Sequence, residues 1–214
     1  DSILTRTLMI AHPQFRQQLI EEAKKLSLND KDQAYVTGGK GDYPEDLETQ
    51  RTTSKGMSIF MRPVKISDEQ LLKDFFYSIS TNSMYHRFIS SRTDMPHHRL
   101  QQFVAIDYTK EMVILTVLKE ESRETVVGMG QYIIDENTHM AEVAFIVRDD
   151  YQGKGIGYEL LSYLTYLARK NGLHGFTAEV LADNIHMLSL FERMGFVIDS
   201  RAEEGVYELI MPFR

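Results

Sequence analysis

The stretch Ala141-Glu142-Val143-Ala144-Phe145-Ile146-Val147, followed by Arg148-Asp149-Asp150-Tyr151 and then Gln152-Gly153-Lys154-Gly155-Ile156-Gly157-Tyr158, decides how this chain is read. An apolar strand runs into a glycine-rich turn, and the turn opens a helix. Gly153, Gly155 and Gly157 let the backbone come close to an anion. The free N–H groups of the turn and of the first helical residues have the positive end of the helix dipole behind them. A pyrophosphate fits such a turn. Two other phosphate-binding patterns fail on spacing. A dinucleotide fingerprint needs G-x-G-x-x-G after the first strand of its unit, with an acidic ribose ligand about 20 residues on. A Walker A loop needs Lys followed by Ser or Thr, which neither Lys154-Gly155 nor Gly39-Lys40-Gly41 supplies.

Outward from the turn, Leu160, Leu161, Leu164, Leu167 and Ala168 mark one helix face, stopped by Asn171-Gly172. Phe176 to Leu181 reads as a strand, Ile185 to Met194 as a helix ending at Gly195, and Phe196 to Ser200 with Val206 to Met211 as a last strand pair. On the N-terminal side, Ile59 to Val64 reads as a strand. Asp68 to Ile79 reads as a helix capped by the Ser67 hydroxyl with Gln70 reaching back. Pro96 to Ile106 suggests another helix. Met112 to Leu118 is almost wholly apolar, as a strand covered on both faces should be. Thr125 to Ile134 and Ala141 to Val147 complete the strands, with turns at Glu120 to Arg123 and at Asp135 to Thr138. The sum is an α/β fold, a mixed sheet with helices on both faces.

Two ordered motifs carry a resemblance. Val147 with Gln152-Gly153-Lys154-Gly155-Ile156-Gly157 resembles the (R/Q)-G-x-G-x-G/A acetyl-CoA motif of the GNAT N-acetyltransferase superfamily. Asn184-Ile185-His186-Met187-Leu188-Ser189-Leu190-Phe191-Glu192-Arg193-Met194-Gly195-Phe196 resembles that superfamily's second element. The likeness spans roughly residues 58–213. It implies a mostly antiparallel mixed sheet whose central parallel pair, Ala141 to Val147 and Phe176 to Leu181, splays apart to admit the pantetheine arm of acetyl-CoA. It assigns Phe145, Ile146 and Val147 to that arm, Gln152, Gly153, Lys154, Gly155, Ile156, Gly157 and Tyr158 to the pyrophosphate, and Asn184 to a polar contact. A backbone N–H near Val147 would polarise the thioester carbonyl.

Met84-Tyr85-His86-Arg87-Phe88 and Ile106-Asp107-Tyr108-Thr109-Lys110-Glu111-Met112, taken with the 141–157 segment, look most like bacterial protein lysine acetyltransferases. The acceptor expected from that likeness is an amine, a protein lysine first. A small amine, or a role as an acetyl-CoA-sensing module, are the alternatives. Transfer to an amine needs a base, and Glu142 is the candidate: in an apolar strand, a buried carboxylate would be pushed up toward useful values. The Ala141-Glu142 placement resembles the glutamate general base of histone-type and bacterial lysine acetyltransferases. Where many members carry a Tyr that protonates the leaving thiolate, this chain has Phe191, which has no proton to donate, so the acid stays unassigned. Tyr132 and Glu179 are candidates for the acceptor channel, with core packing and rim positions as the plainer alternatives. His97, His98 and His139 lack a third ligand at sensible spacing, so no metal site is expected.

The bulk properties narrow the chemistry further. The 214 residues contain no cysteine, which excludes disulfides and a cysteine nucleophile. A formal net charge of -7 argues against a nucleic-acid partner. No apolar run approaches the roughly 18 residues of a membrane span, and no secretory pattern opens the chain, so a cytoplasmic home and no membrane partner are expected. Residues 1–28 hold a helix face at Phe15, Leu19, Ile20, Ala23 and Leu26 behind Pro13. With Ile10-Ala11-His12-Pro13-Gln14-Phe15-Arg16 they resemble the C-terminal end of the acetyl-CoA hydrolase/CoA-transferase family, which implies a fused upstream domain. Residues 29–57 have the composition of a linker, with the boundary placed near Lys55, and residues 58–214 form the acetyltransferase-like domain.

Overall fold

A computed structural model describes residues 43–90, 94–120 and 123–213. The N-terminal helix read over residues 13–26, and with it the CoA-transferase resemblance, lies outside them. Eight strands form one sheet in the order β1-β2-β3-β4-β5-β6-β8-β7. They are β1 (Thr49–Thr52), β2 (Ser58–Pro63), β3 (Glu111–Glu120), β4 (Arg123–Asp135), β5 (Met140–Val147), β6 (Gly175–Leu181), β7 (Asp199–Glu203) and β8 (Val206–Pro212). Every neighbouring pair is antiparallel except β5 and β6. Helices α1 (Glu69–Tyr77), α2 (Thr81–Phe88) and α3 (His97–Val104) cover one face. Helices α4 (Ile156–Lys170) and α5 (Ile185–Arg193) cover the other.

The strand patterns explain this layering. β3 is buried from Met112 to Val117, so both of its faces carry apolar side chains. Ile114 packs on the α4 side, while Val113 and Leu115 pack on the α1–α3 side. β5 alternates in the same way: Ala141, Val143 and Phe145 join the α4 core, and Ile146 joins the other. No helix among the described residues is long and apolar enough to cross a membrane.

Three features differ from the sequence reading. Part of the stretch read as linker enters the sheet, because Thr49–Thr52 pairs with Ser58–Met61 as an edge strand. Its polar composition suits an edge, where one side of the strand stays wet. Secondly, Ser67 does not cap α1. A 3-10 turn at Ile66–Asp68 precedes the helix, and the Asp68 carboxylate accepts from the Lys65 N–H at 2.7 Å. Asp68 is drawn inward by the buried Arg62 guanidinium, which it meets at 2.6 and 2.9 Å, with Glu124 closing the network at 2.8 Å. Gln70, expected to reach back, donates instead to Asp74. Thirdly, α2 gives little apolar periodicity, since Met84 is its sole buried residue. It is started by Ser80, whose hydroxyl accepts from the Ser83 N–H at 3.2 Å.

Candidate active site

The central parallel pair is short. β5 and β6 are in register only at Met140–Gly175, Ala141–Phe176 and Glu142–Thr177. Beyond Glu142, β5 stays paired with β4 and β6 with β8, so the strands diverge with an unpaired main-chain edge on each side of the gap. Phe145, Ile146 and Val147 lie along that edge. The side chains of Phe145 and Ile146 are buried on opposite faces, so only their main chain is offered to the fork.

At the open end of the fork, β5 passes through a 3-10 turn at Asp149–Tyr151 into the glycine turn. Gly153 and Gly155 take φ of +71° and +89°, conformations that side-chain-bearing residues rarely adopt. Gly155 is the N-cap of α4 and supplies no side chain to it. The first intrahelical bond runs from the Glu159 N–H to the Gly155 carbonyl at 3.2 Å. The preceding amides therefore face outward unclaimed by the helix, as an anion site requires. Ile156 is buried beneath the turn, and Tyr158 is 41% exposed on the first helical turn. A methyl on Gly157 would sit 3.3 Å from Leu190, so glycine there lets α4 and α5 come together.

The turn is braced from α2. The Asp149 carboxylate accepts from the Ser80 N–H at 2.8 Å and from the Ser80 and Ser83 hydroxyls at 2.7 Å each. Burial alone would raise this carboxyl, but these hydrogen bonds outweigh it and hold it below the usual Asp range. Gln152 donates to the Ser83 hydroxyl at 3.2 Å and to the Val147 carbonyl at 3.1 Å, so its side chain is a brace between β5 and α2. Lys154 Nζ lies 4.5 Å from the Tyr151 ring centroid. Asn184 caps α5 by accepting from the Met187 N–H at 3.3 Å, which leaves its amide N–H groups for any outside partner. Neither Ser80 nor Asp149 stands out in the sequence. The one available signal was a Ser at the position that starts α2.

Glu142 lies at the vertex of the fork, the last residue of β5 in register with β6. It is exposed, not buried as its apolar neighbours suggest. The reason is alternation: Ala141 and Val143 point to the α4 core, while Glu142 points to the other face, where it stays open to solvent on the side that carries α2. Across the sheet it is flanked by Ile133 on β4 and by Thr177 on β6, with Ile210 next on β8. Ile133 and Ile210 are 47% and 39% exposed. Burial pushes the Arg87 guanidinium on α2 down to about 10, with the charge of Glu142 opposing that. Arg87 donates to the side-chain Oε1 of Gln131 at 3.0 Å. His86 Nε2 stands 3.3 Å from Asp183, just past β6, so α2 reaches across the fork.

The other candidates fall into structural places. Tyr132 is 1% exposed and its hydroxyl accepts from Asn171 at 2.9 Å. Glu179 is exposed on β6 opposite Glu208. His97 pairs with Glu69, and His139 stacks on His174 at 5.6 Å. No group of three metal-ligating side chains occurs among the described residues. Phe191 is buried between Phe145 and Phe196, with ring centroids 6.1 and 6.3 Å away.

The Acetyltransferase (GNAT) family pattern matches residues 74–196, which contain the fork, the glycine turn and Asn184. The chain belongs to the GNAT acetyltransferase family. Members use acetyl-CoA, and the outward amides ahead of α4 and the divergent strands suit its pyrophosphate and its arm. Acetyltransferase Pat of Mycolicibacterium smegmatis is 34% identical over 144 residues, covering 66% of this chain and 42% of that protein. Acetyltransferase PA5475 of Pseudomonas aeruginosa is 28% identical over 142 residues, covering 66% of this chain and 76% of that one. The GNAT domain of S. lividans PAT superposes with a TM-score of 0.74 at 26% identity, over 80% of this chain and all of that domain. The chain thus spans less than half the length of the first of these relatives. The GNAT likeness extends to the eight-stranded mixed sheet and its single parallel pair.

Proposed function

We propose that this GNAT chain transfers an acetyl group from acetyl-CoA to an amine, a protein lysine first among acceptors, by direct attack with Glu142 as general base. The observation that carries the reading is the placement of Glu142. It stands at the vertex where the cofactor fork begins, on the opposite face of the sheet from α4, and open to solvent. Acetyl-CoA supplies the thioester carbonyl, and its thiolate leaves as the amide forms. The main-chain edge of Phe145–Val147 holds the arm, and the amides of Gly153–Tyr158 hold the pyrophosphate. An incoming ammonium loses one proton to the Glu142 carboxylate, the resulting neutral nitrogen attacks, and its second proton passes to the departing thiolate as the carbon–sulfur bond breaks. Ile133 and Ile210 beside Glu142 give an aliphatic lysine stem apolar surface to lie on. The likeness of the 84–88, 106–112 and 141–157 segments to bacterial protein lysine acetyltransferases, and the 34% identity to Acetyltransferase Pat, support the lysine acceptor.

Coenzyme A release, measured with acetyl-CoA against a panel of proteins and free amines and followed by peptide mass spectrometry, tests this. Acetylated lysine side chains are the expected product. Acetylation of free amines with no modified lysine would replace the acceptor, and no release with any amine would remove the transferase reading.

A further inference from the structure

The β1–β2 hairpin, which lies outside the family match, is delivered to the phosphate turn. Arg51 of β1 bonds Glu159 of α4 at 3.2 Å and lies 4.8 Å from the Tyr163 ring centroid. The Tyr163 hydroxyl donates to the Leu47 carbonyl at 2.6 Å. These contacts lay β1 along α4, and the hairpin tip, Thr53-Ser54-Lys55-Gly56, arrives at the helix N-terminus. A methyl on Gly155 would stand 3.1 Å from Ser54 Oγ and 3.5 Å from the Ser54 N–H nitrogen.

The tip is rigid. The Thr53 N–H donates to the Met57 carbonyl at 2.8 Å and the Gly56 N–H to the Thr53 carbonyl at 2.9 Å. The buried Thr53 hydroxyl accepts from the N–H groups of Lys55 and Met57 at 3.3 Å each. Ser54 and Lys55 are exposed, and among the described residues neither the Ser54 hydroxyl and N–H nor the Lys55 ammonium has a partner. The acidic side chains around the turn are all engaged: Asp149 with α2, Asp150 with Arg148, and Glu159 with Arg51. What remains beside Gly155 is the hydroxyl and amide of Ser54, with the unpartnered Lys55 the next residue along, in a chain of net charge -7.

We propose that Ser54 and Lys55 form a second wall of the coenzyme phosphate site, Ser54 by donating from its hydroxyl and N–H, Lys55 by its charge. This rests on the acetyl-CoA reading above and extends the site to a hairpin that the motif does not contain. The phosphate contacted is either the pyrophosphate in the turn or the 3′-phosphate of the adenosine, and the test separates them.

Coenzyme A and 3′-dephospho-coenzyme A are titrated calorimetrically into the whole chain, unaltered and as Lys55→Ala, Lys55→Arg and Ser54→Ala/Lys55→Ala. Because the substituted side chains are exposed, the thermal midpoint is expected to stay where it is. Lys55→Ala should weaken coenzyme A by roughly tenfold, the double variant more, and Lys55→Arg little. The deficit should shrink as salt rises. Equal weakening with both nucleotides places the contact on the pyrophosphate, and weakening with coenzyme A alone places it on the 3′-phosphate; either supports the wall. Affinity unchanged in every variant overturns it while leaving the acetyl-CoA reading in place. No heat from the unaltered chain overturns that reading and the wall with it.

Discussion

Asp149, two residues beyond the end of β5, holds Ser80 at the start of α2 through both its main-chain N–H and its hydroxyl, at 2.8 and 2.7 Å. One carboxylate thereby fixes the phosphate turn to the helix that carries His86 and Arg87 toward Glu142. Asp149→Ala should cost about 1–2 kcal/mol, since the three hydrogen bonds are to a charged but largely solvated acceptor. Urea unfolding measures it. The carboxyl is held below its usual range in the fold, so its contribution is fully present above the unfolded Asp value. It fades as pH falls through the lower folded value. The variant should therefore lose less stability than the unaltered chain over that acid window.

Glu142→Gln keeps the shape at the vertex and removes the base. Turnover should fall by about 10²–10⁴ with an unchanged acetyl-CoA dissociation constant, because the amides that hold the pyrophosphate are untouched. Single-turnover kinetics with equilibrium titration separates the two quantities. An undiminished rate would remove Glu142 from the chemistry.

Gly155→Ala places a methyl at φ +89° and within 3.1 Å of Ser54 and Thr53. The left-handed backbone costs about 1–2 kcal/mol for a residue with a side chain. The hairpin tip must also shift. Both the melting midpoint and coenzyme A affinity should drop, whereas a substitution on the far side of the molecule would lower only the first.

The buried Arg62–Asp68 pair predicts an asymmetry. Asp68→Ala leaves a guanidinium inside with only Glu124 to oppose it and should destabilise by about 3–5 kcal/mol. Replacing both partners together, as Arg62→Met with Asp68→Leu, should cost much less. Chemical denaturation of the single and double variants gives both values.

The parts legible in the chain were those whose cause is local. The glycine turn declares itself because positive φ needs glycine at Gly153 and Gly155, and β3 because a strand between two helical layers has no polar side to show. What stayed hidden was set by partners distant in the chain. Thr49–Thr52 is polar and became a strand only through β2 and the Arg51–Glu159 pair. Ser67 looked like a cap, yet Asp68 holds the N-cap position with its carboxylate turned away from the helix to the buried Arg62, six residues back. For Glu142, alternation along β5 could be read, but which part of a sheet face the helices leave bare could not. Asp149 and Ser80 are 69 residues apart, and no spacing rule joins them.

Three residue pairs, Met140–Gly175 to Glu142–Thr177, with one bond from the His174 N–H to the His139 carbonyl just before them, form the seam between a five-stranded leaf and a three-stranded one. With so short a seam, side-chain packing helps to join the leaves, among it the contacts of the Phe145, Phe191 and Phe196 rings. Packing and chemistry are thus carried by different residues of the same strand: Phe145 faces this aromatic cluster, while Glu142 faces solvent.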